Sequence, residues 1–215
     1  ATLVELGLQH EQQHQELIVT DLKHLLGCNP LAPVYRPAWP LAPVAPVAHG
    51  WCEFAGGLVE IGHRGDGFAF DNEAPRHAVH LQPYALGNRL VTHGEWLDFI
   101  EAGGYDEPRW WLSAGWDWLR QQRIAAPMYW RRRGGDHDGG RRDRGSFTLP
   151  GEMPVDPHTP VVHVSLYEAD AYAHWRAAVS GEPVRLPTEA EWEHAAGRDE
   201  AAALVEGNFV ESDAL

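Results

Sequence analysis

Cysteine is scarce in this sequence, with only Cys28 and Cys52 among 215 residues. Two cysteines make neither a disulfide framework nor a four-cysteine zinc site, and a reducing cytoplasm is the simplest setting for such a chain. Long apolar runs are also missing, because no stretch reaches the roughly 18 to 20 residues that span a bilayer. Nothing at the start of the sequence resembles a signal peptide. We therefore predict a soluble, cytoplasmic protein with no membrane partner.

Basic residues are outnumbered, with 17 Lys and Arg against 31 Asp and Glu and a net charge of −14. This is the wrong sign for binding a phosphate backbone, so nucleic acid is not an expected partner. The arginine-rich stretch 131–144 lies between two strand-like arms, Met128 to Arg132 and Ser146 to Leu149. Because three aspartates reduce the net positive charge of this stretch, we interpret it as the exposed tip of a hairpin rather than an anion site.

The first 27 residues have the pattern of an amphipathic helix. Apolar residues recur every three to four positions from Thr2 to Leu26, and Gly27 follows as a predicted C-cap. A lone helix of this length is marginal in water. We therefore expect its apolar face to need a partner surface.

The amino-acid composition changes twice after this helix. Six prolines between residues 30 and 46 predict an extended linker, and nine of the ten tryptophans follow it among short strand patterns and many glycines. Three Ser/Thr-x-x-Glu patterns predict helix starts, because each pair of side chains can satisfy free N–H groups of a first turn. These capping boxes are Thr92 with Glu95, Ser165 with Glu168, and Thr188 with Glu191.

Two histidines four residues apart stand out in the first helix. On a helix, His10 and His14 lie about 40° apart and one turn along, so both rings can reach one ion, and Gln13 flanks the same face. Glu16 lies about 200° from His14, so it cannot complete the site. An isolated pair of this kind is more often an exposed helix face than a metal site. Its polar stripe opposite an apolar face nevertheless suits a metal site inside a helical bundle.

The identity of the metal and the chemistry remain open on spacing alone. Imidazole suits zinc, iron, copper and nickel alike. The segment HEQQH also has the spacing of the zinc-protease motif, with Glu11 after the first histidine, so a gluzincin-like hydrolase is a competing interpretation. Against that interpretation, Gln12 and Gln13 occupy positions that are usually apolar in that motif.

The combination of motifs resembles a known family. The segment LQHEQQHQELIVTDLKH is similar to the metal-binding helix, with pattern His-x3-His-x-Glu, of the DinB-like domain in the sulfoxide synthases of ergothioneine biosynthesis. The second half resembles their formylglycine-generating-enzyme-like domain in FDNEAPRHAVHLQPYALGNRLVTHGEW, TPVVHVSLYEADAYAHW and RLPTEAEWEHAAG. The segment GGYDEPRWWLSAGW makes the resemblance to these sulfoxide synthases more specific than a resemblance to the broad domain family.

The resemblance implies an α+β architecture in three parts. Residues 1–29 would be the C-terminal helix of a DinB-like four-helix bundle, and residues 30–48 a proline-rich linker. Residues 49–215 would form a mixed α/β domain of the formylglycine-generating-enzyme type, which is C-type-lectin-like, incomplete at its C-terminus. The chain is thus interpreted as an internal fragment.

The resemblance also implies an iron site and a substrate. His10 and His14 would be Fe(II) ligands, a third histidine would lie upstream of residue 1, and Gln13 would help to bind hercynine, the Nα-trimethylated histidine. The implied enzyme uses O2 to join a cysteine-type thiol, from cysteine or γ-glutamylcysteine, to C2 of the hercynine imidazole, and leaves a sulfoxide. Its catalytic tyrosine belongs to a Tyr-x-x-Tyr segment that does not occur here and is expected beyond the C-terminus. We therefore expect the 215 residues alone not to turn over.

Several alternatives stay open. Relatives that make ovothiol by C5 sulfoxidation or that form C–Se bonds share the histidine motif, and a non-catalytic, lectin-like binding module is the alternative from another class. Sulfatase activation is disfavoured, because formylglycine-generating enzymes use a late cysteine pair that Cys28 and Cys52 do not supply. Two minor features have local interpretations. The segment from Asp71 to His77 reads as a turn before a strand rather than a calcium loop, and Trp192 reads as a core residue.

Overall fold

A computed structural model describes residues 2–37, 45–65, 67–132 and 144–197. The helices in these residues are α1 (Thr2–Cys28), α2 (His93–Glu101), α3 (Ser113–Gln122), α4 (Leu166–Ser180) and α5 (Glu189–Ala196). The strands are β1 (Trp51–Phe54), β2 (Gly57–Ile61), β3 (His77–Leu81), β4 (Tyr84–Gly87), β5 (Trp130–Arg132), β6 (Arg144–Thr148) and β7 (Gly151–Pro154). This mixture agrees with the predicted α+β class. Part of the predicted linker, residues 38–44, and the tip of the arginine-rich stretch, residues 133–143, lie outside the described residues.

The chain divides into two compact units. The first comprises residues 1–50 and 88–186, and the second comprises residues 51–87 and 187–215. Within the described part of the second unit, β1 pairs with β4 and β2 with β3, both antiparallel. In the first unit, β5, β6 and β7 form an antiparallel sheet in sequence order. Pairing of β5 with β6 confirms the hairpin predicted around the arginine-rich stretch.

All three predicted capping boxes are present. At the start of α2, the Thr92 hydroxyl accepts from the Glu95 N–H while the Glu95 carboxylate accepts from the Thr92 N–H at 2.9 Å. The same reciprocal pair starts α4 and α5. These helix starts are determined by side chains only three residues apart, which is why the sequence pattern predicted them correctly.

Aromatic side chains from α2, α4 and the intervening loop form the core of the first unit. Trp96 stacks on Tyr172 with ring centres 5.0 Å apart, and Phe99 is fully buried between neighbouring rings. Three polar groups inside this core are hydrogen-bonded in series: the Trp96 indole N–H donates to the Tyr105 hydroxyl (3.2 Å), which donates to Glu168 (2.7 Å). Burial and the nearby Glu168 carboxylate raise the pKa of Tyr105, so the phenol stays protonated as a donor.

In the second unit, α5 packs against β2. The Tyr84 hydroxyl donates to the Glu191 carbonyl at 2.8 Å and lies 2.8 Å from Nδ1 of His194. The side of α5 that carries Glu191 is therefore turned inward, and Glu191 is buried. The neighbouring Trp192, about 100° further round the helix, points outward and is 62% exposed. The prediction that Trp192 belongs to the core is wrong.

Helix α1 continues through Gly27 to Cys28 instead of ending before the glycine. A Cβ atom at Gly27 would lie 3.0 Å from the Tyr129 ring and 3.1 Å from the Phe147 ring. The Arg131 side chain also donates to the Gly27 carbonyl. Gly27 therefore allows the last turn of α1 to approach the β5–β6 region closely, and its predicted role as C-cap is corrected.

Candidate functional site

Most of α1 is exposed within the described part of the chain. Among the apolar side chains that the sequence placed on a buried face, Leu3 is 82% exposed and Ile18 is 65% exposed. Contacts to the rest of the first unit are concentrated at the last two turns, near Lys23 and Gly27. No helix among the described residues has both the length and the apolar composition needed to cross a membrane.

The structure brings His10 and His14 together as the helical spacing predicted. Their ring centres lie 4.5 Å apart and the ring planes are perpendicular. Gln13 and Glu16 are exposed on the same helix. Among the residues that the structure describes, no group of three or more His, Cys, Asp or Glu side chains is placed to hold a metal ion. The described site therefore provides two candidate ligands.

The spacing of the two rings is compatible with binding one ion. An imidazole bound through a metal–nitrogen bond of about 2.1 Å has its ring centre ~1.1 Å beyond the nitrogen. If the two metal–nitrogen bonds of one ion are at right angles, the two ring centres lie about 4.5 Å apart. The observed separation, 4.5 Å, matches this value and is also that of an ordinary edge-to-face ring contact. The ring separation thus agrees with a shared ion as well as with an ordinary ring contact.

The charges on α1 favour a cation. The helix carries four carboxylates and a single lysine. The carboxylates are Glu5, Glu11, Glu16 and Asp21. Because these groups are exposed, salt screens their effect, but their sign raises the local concentration of metal ions rather than anions.

The segment from Asp71 to His77 has a structural role. Asp71, Asn72 and Glu73 form a 3-10 turn in which the Glu73 carboxylate accepts from the Phe70 N–H at 2.8 Å. Strand β3 then begins at His77, in line with the interpretation of this segment as a turn before a strand. The two cysteines are free and exposed.

Three residues that the sequence patterns did not single out meet at the end of α1. Lys23 contacts His163, and the rings of Tyr129 and His163 contact each other. Lys23 precedes the other two residues by more than 100 positions in the sequence. No local sequence pattern could therefore have connected them. His163 therefore makes a structural contact with the end of α1.

Comparison with known proteins identifies the protein family of the chain. The family profile described as "Sulfatase-modifying factor enzyme 1-like domain" matches residues 47–213. The chain therefore belongs to the family of proteins with this domain. The match covers β1 to α5, including all three capping boxes.

Two kinds of curated relatives resemble the chain. It is 34% identical over 201 residues, 92% of its length, to hercynine oxygenase of Mycolicibacterium smegmatis, of which it spans 42%. It is 42% identical over 133 residues, 62% of its length, to hercynine oxygenase of Mycobacterium tuberculosis, of which it spans 28%. It is also 34% identical over 161 residues, 68% of its length, to formylglycine-generating enzyme of Streptomyces coelicolor, of which it spans 46%. The chain thus spans less than half the length of each of these relatives.

Proposed function

We propose that this chain is part of a hercynine oxygenase, a non-haem Fe(II) sulfoxide synthase of ergothioneine biosynthesis. The observation that carries the proposal is the 34% identity to a hercynine oxygenase across 92% of the chain. The reaction would use O2 to join the sulfur of cysteine or γ-glutamylcysteine to C2 of the hercynine imidazole. The protein would be cytoplasmic and act on these small molecules.

In this proposal His10 and His14 hold the iron. Each would offer the lone pair of a neutral imidazole nitrogen, so protons compete with the metal for the same atoms. A third histidine, expected from a segment N-terminal to residue 1, would complete a face of three nitrogen ligands. Bound there, Fe(II) would supply the redox chemistry with O2 that neither substrate can perform alone. The 4.5 Å spacing of the two rings supports a shared ion.

Gln13 is proposed to orient the substrate. Its amide precedes His14 on the polar side of α1, where it can donate or accept a hydrogen bond without carrying charge. A neutral amide suits a neutral imidazole ring beside a metal, because it can fix the ring's orientation without competing for the ion. Gln12, one residue earlier, points to another part of the helix surface.

The domain assignment is part of the proposal. Residues 1–29 would be the end of a DinB-like helical domain, residues 30–48 a linker, and residues 49–215 the formylglycine-generating-enzyme-like domain. Exposure of apolar side chains along α1, such as Leu3 and Ile18, supports a helical partner for that face.

Metal binding and turnover test the proposal directly. We expect Fe(II), titrated without oxygen into the full-length protein, to bind much more weakly after His10→Ala or His14→Ala, by about 10²-fold or more. His158→Ala, at an exposed histidine elsewhere in the first unit, is the control and should bind normally. Oxygen uptake with hercynine and thiol should be lost in the same two variants. Undiminished uptake in the double variant would contradict the assignment of these ligands.

The role of Gln13 is tested by a matched pair of variants. Gln13→Ala should raise KM for hercynine about tenfold, whereas Gln12→Ala should leave KM unchanged. Equal effects of the two substitutions would mean that Gln13 acts only through the helix.

The alternatives predict other outcomes. A gluzincin-like hydrolase would lose its activity on Glu11→Gln, a change that should not affect the oxygenase. NMR of the product distinguishes C2 from C5 substitution, and selenium in the product would indicate a C–Se-forming relative. Ligand binding by the second domain that is unaltered in the His10→Ala, His14→Ala double variant, without turnover of the full-length protein, would favour a binding module. The 215 residues alone are expected not to turn over.

Sulfatase activation is less well supported, despite the similarity to a formylglycine-generating enzyme. The match to that enzyme covers 68% of the chain, whereas the match to a hercynine oxygenase covers 92% of it. We expect no conversion of a sulfatase-derived cysteine peptide to an aldehyde.

A further inference from the structure

The last turns of α1 are held by side chains from two distant loops. Nζ of Lys23 lies 2.5 Å from Nε2 of His163 and 5.1 Å from the centre of the Tyr129 ring. The rings of Tyr129 and His163 pack edge to face with centres 4.9 Å apart. The Tyr129 hydroxyl also lies 2.9 Å from Nδ1 of His24. We call the contact of Lys23, Tyr129 and His163 the α1 joint.

Both loop residues of the α1 joint have an unusual backbone. Tyr129 has φ of 71° and His163 has φ of 61°, in the left-handed region that costs a non-glycine residue of order 1–2 kcal/mol. The two loops are linked to each other, because the Met128 N–H donates to the His163 carbonyl at 3.1 Å. Both side chains of these strained residues contact α1. The contacts with α1 are therefore among the interactions that maintain the left-handed conformations of these two residues.

The chemistry of the contact requires a neutral imidazole. An ammonium group can only donate, so Nε2 of His163 must accept and the ring must carry its single proton on Nδ1. The titratable groups that face His163 are Lys23 on α1 and Tyr129 on the neighbouring loop, with His24 and Cys28 beyond the tyrosine hydroxyl. Among the described residues, no carboxylate is hydrogen-bonded or ion-paired with either Lys23 or His163. A protonated His163 would thus place two cations in contact with no compensating charge.

We propose that Lys23, Tyr129 and His163 are positioning residues that fix the direction of α1 on the first unit, and that the α1 joint holds only while His163 is neutral. Lys23 lies nine residues after His14, about 14 Å along the helix, so these residues do not touch the metal-binding face. They act through the helix on which His10, Gln13 and His14 are placed. The consequence for catalysis rests on the proposed function, whereas the joint itself does not.

The direction of the pH effect follows from the folded environment. His163 is exposed on one side, and the partial burial of its ring together with the charge of Lys23 lowers its pKa. Burial also lowers the pKa of Lys23. Because the unfolded histidine has a pKa of about 6.5, the stabilisation by the joint is complete above that pH. This stabilisation decreases as the pH falls from about 6.5 through the lowered pKa of His163 in the folded state.

Hydrogen exchange at the end of α1 tests the joint without metal or substrate. Between pH 7.5 and pH 5.5, after correction for the intrinsic exchange rate, protection of the amides of residues 23–28 should fall about tenfold in the unmodified chain. His163→Gln, which keeps an acceptor but cannot become charged, should reduce this fall to about twofold. The control His158→Gln, at an exposed histidine, should keep the tenfold fall. Protection that is equal at both pH values, or that falls equally in His163→Gln, would overturn the proposal.

A second measurement remains decisive if His163→Gln does not fold. The titration of His163, followed by NMR of its ring protons, should have its midpoint below the ordinary value of about 6.5. Lys23→Met, which keeps the stem over Tyr129 but removes the charge, should move the midpoint upward. A midpoint at the ordinary value that Lys23→Met does not change would also overturn the joint.

The catalytic consequence has its own readout. In the full-length enzyme, His163→Gln should move the acid limb of the kcat/KM profile to lower pH while leaving the iron content at pH 7.5 unchanged; the part of the limb that comes from protonation of His10 and His14 should remain. An acid limb with the same midpoint in His163→Gln as in the unmodified enzyme would contradict the effect on catalysis. Because hydrogen exchange and NMR require no turnover, failure of the oxygenase proposal and failure of the joint are distinguishable.

Discussion

Helices α1 and α4 both carry apolar side chains but have different surroundings. In α4, Ala171, Tyr172 and Trp175 are at least 93% buried in the aromatic core. In α1, Leu3 and Ile18 are 82% and 65% exposed, although their spacing also predicts a buried face. An apolar stripe therefore specifies which face of a helix can be buried, while a partner surface decides whether it is. The same contrast should govern how the two regions respond to substitution.

The largest effect is expected in the core around α4. In Gly104→Ala the new Cβ would overlap the ring of Phe99, which is fully buried and has no room to move. We expect a loss of about 3 kcal/mol in the free energy of unfolding, measured by urea denaturation. An unchanged midpoint would show that the core around Phe99 is loosely packed, and the contrast with α1 would then fail.

An intermediate effect is expected where α2 begins. Burial alone would raise the pKa of Glu95, but hydrogen bonds from Arg89 and Thr92 and the arginine's charge lower it to about 2. The lowered pKa stabilises the fold above the ordinary carboxylate pKa of about 4.5, and this stabilisation is lost as the pH falls toward 2. Glu95→Gln should cost about 2 kcal/mol at pH 7 and almost nothing near pH 2.

The matched control for this pH effect lies on α1. Glu16→Gln changes an exposed carboxylate and should change the free energy of unfolding by less than about 0.5 kcal/mol at pH 7 and at pH 2. Urea denaturation at pH 7 and pH 2 compares the two variants. If Glu95→Gln were as mild as Glu16→Gln at pH 7, the Arg89 contact would contribute nothing.

The smallest effect, and the one of opposite sign, is expected in α1. A Cβ at Gly7 would meet nothing within 4 Å, so Gly7→Ala should stabilise the helix by about 0.5–1 kcal/mol. Far-UV circular dichroism during thermal unfolding measures the gain. A destabilising Gly7→Ala would mean that this part of α1 is closely packed in solution, for example against another copy of the chain.

Local patterns in the sequence predicted the local structure well. The three capping boxes, the hairpin of β5 and β6 and most of α1 depend on residues close together in the chain, and all were found. The errors at Gly27 and Trp192 have a different origin. Gly27 meets Tyr129 and Phe147, while packing of α5 against β2 turns Trp192 outward. Neither partner surface could be inferred from neighbouring residues.

The two proposed functional features differ in the same respect. The face that carries His10, Gln13 and His14 was determined by the sequence alone, because a period of 3.6 residues places positions i, i+3 and i+4 on one side of any helix. The contact of Lys23 with His163 was decided only by the tertiary structure. It joins residues 140 positions apart through two left-handed loop conformations. Such conformations persist only where surrounding contacts maintain them, and no local spacing encodes those contacts.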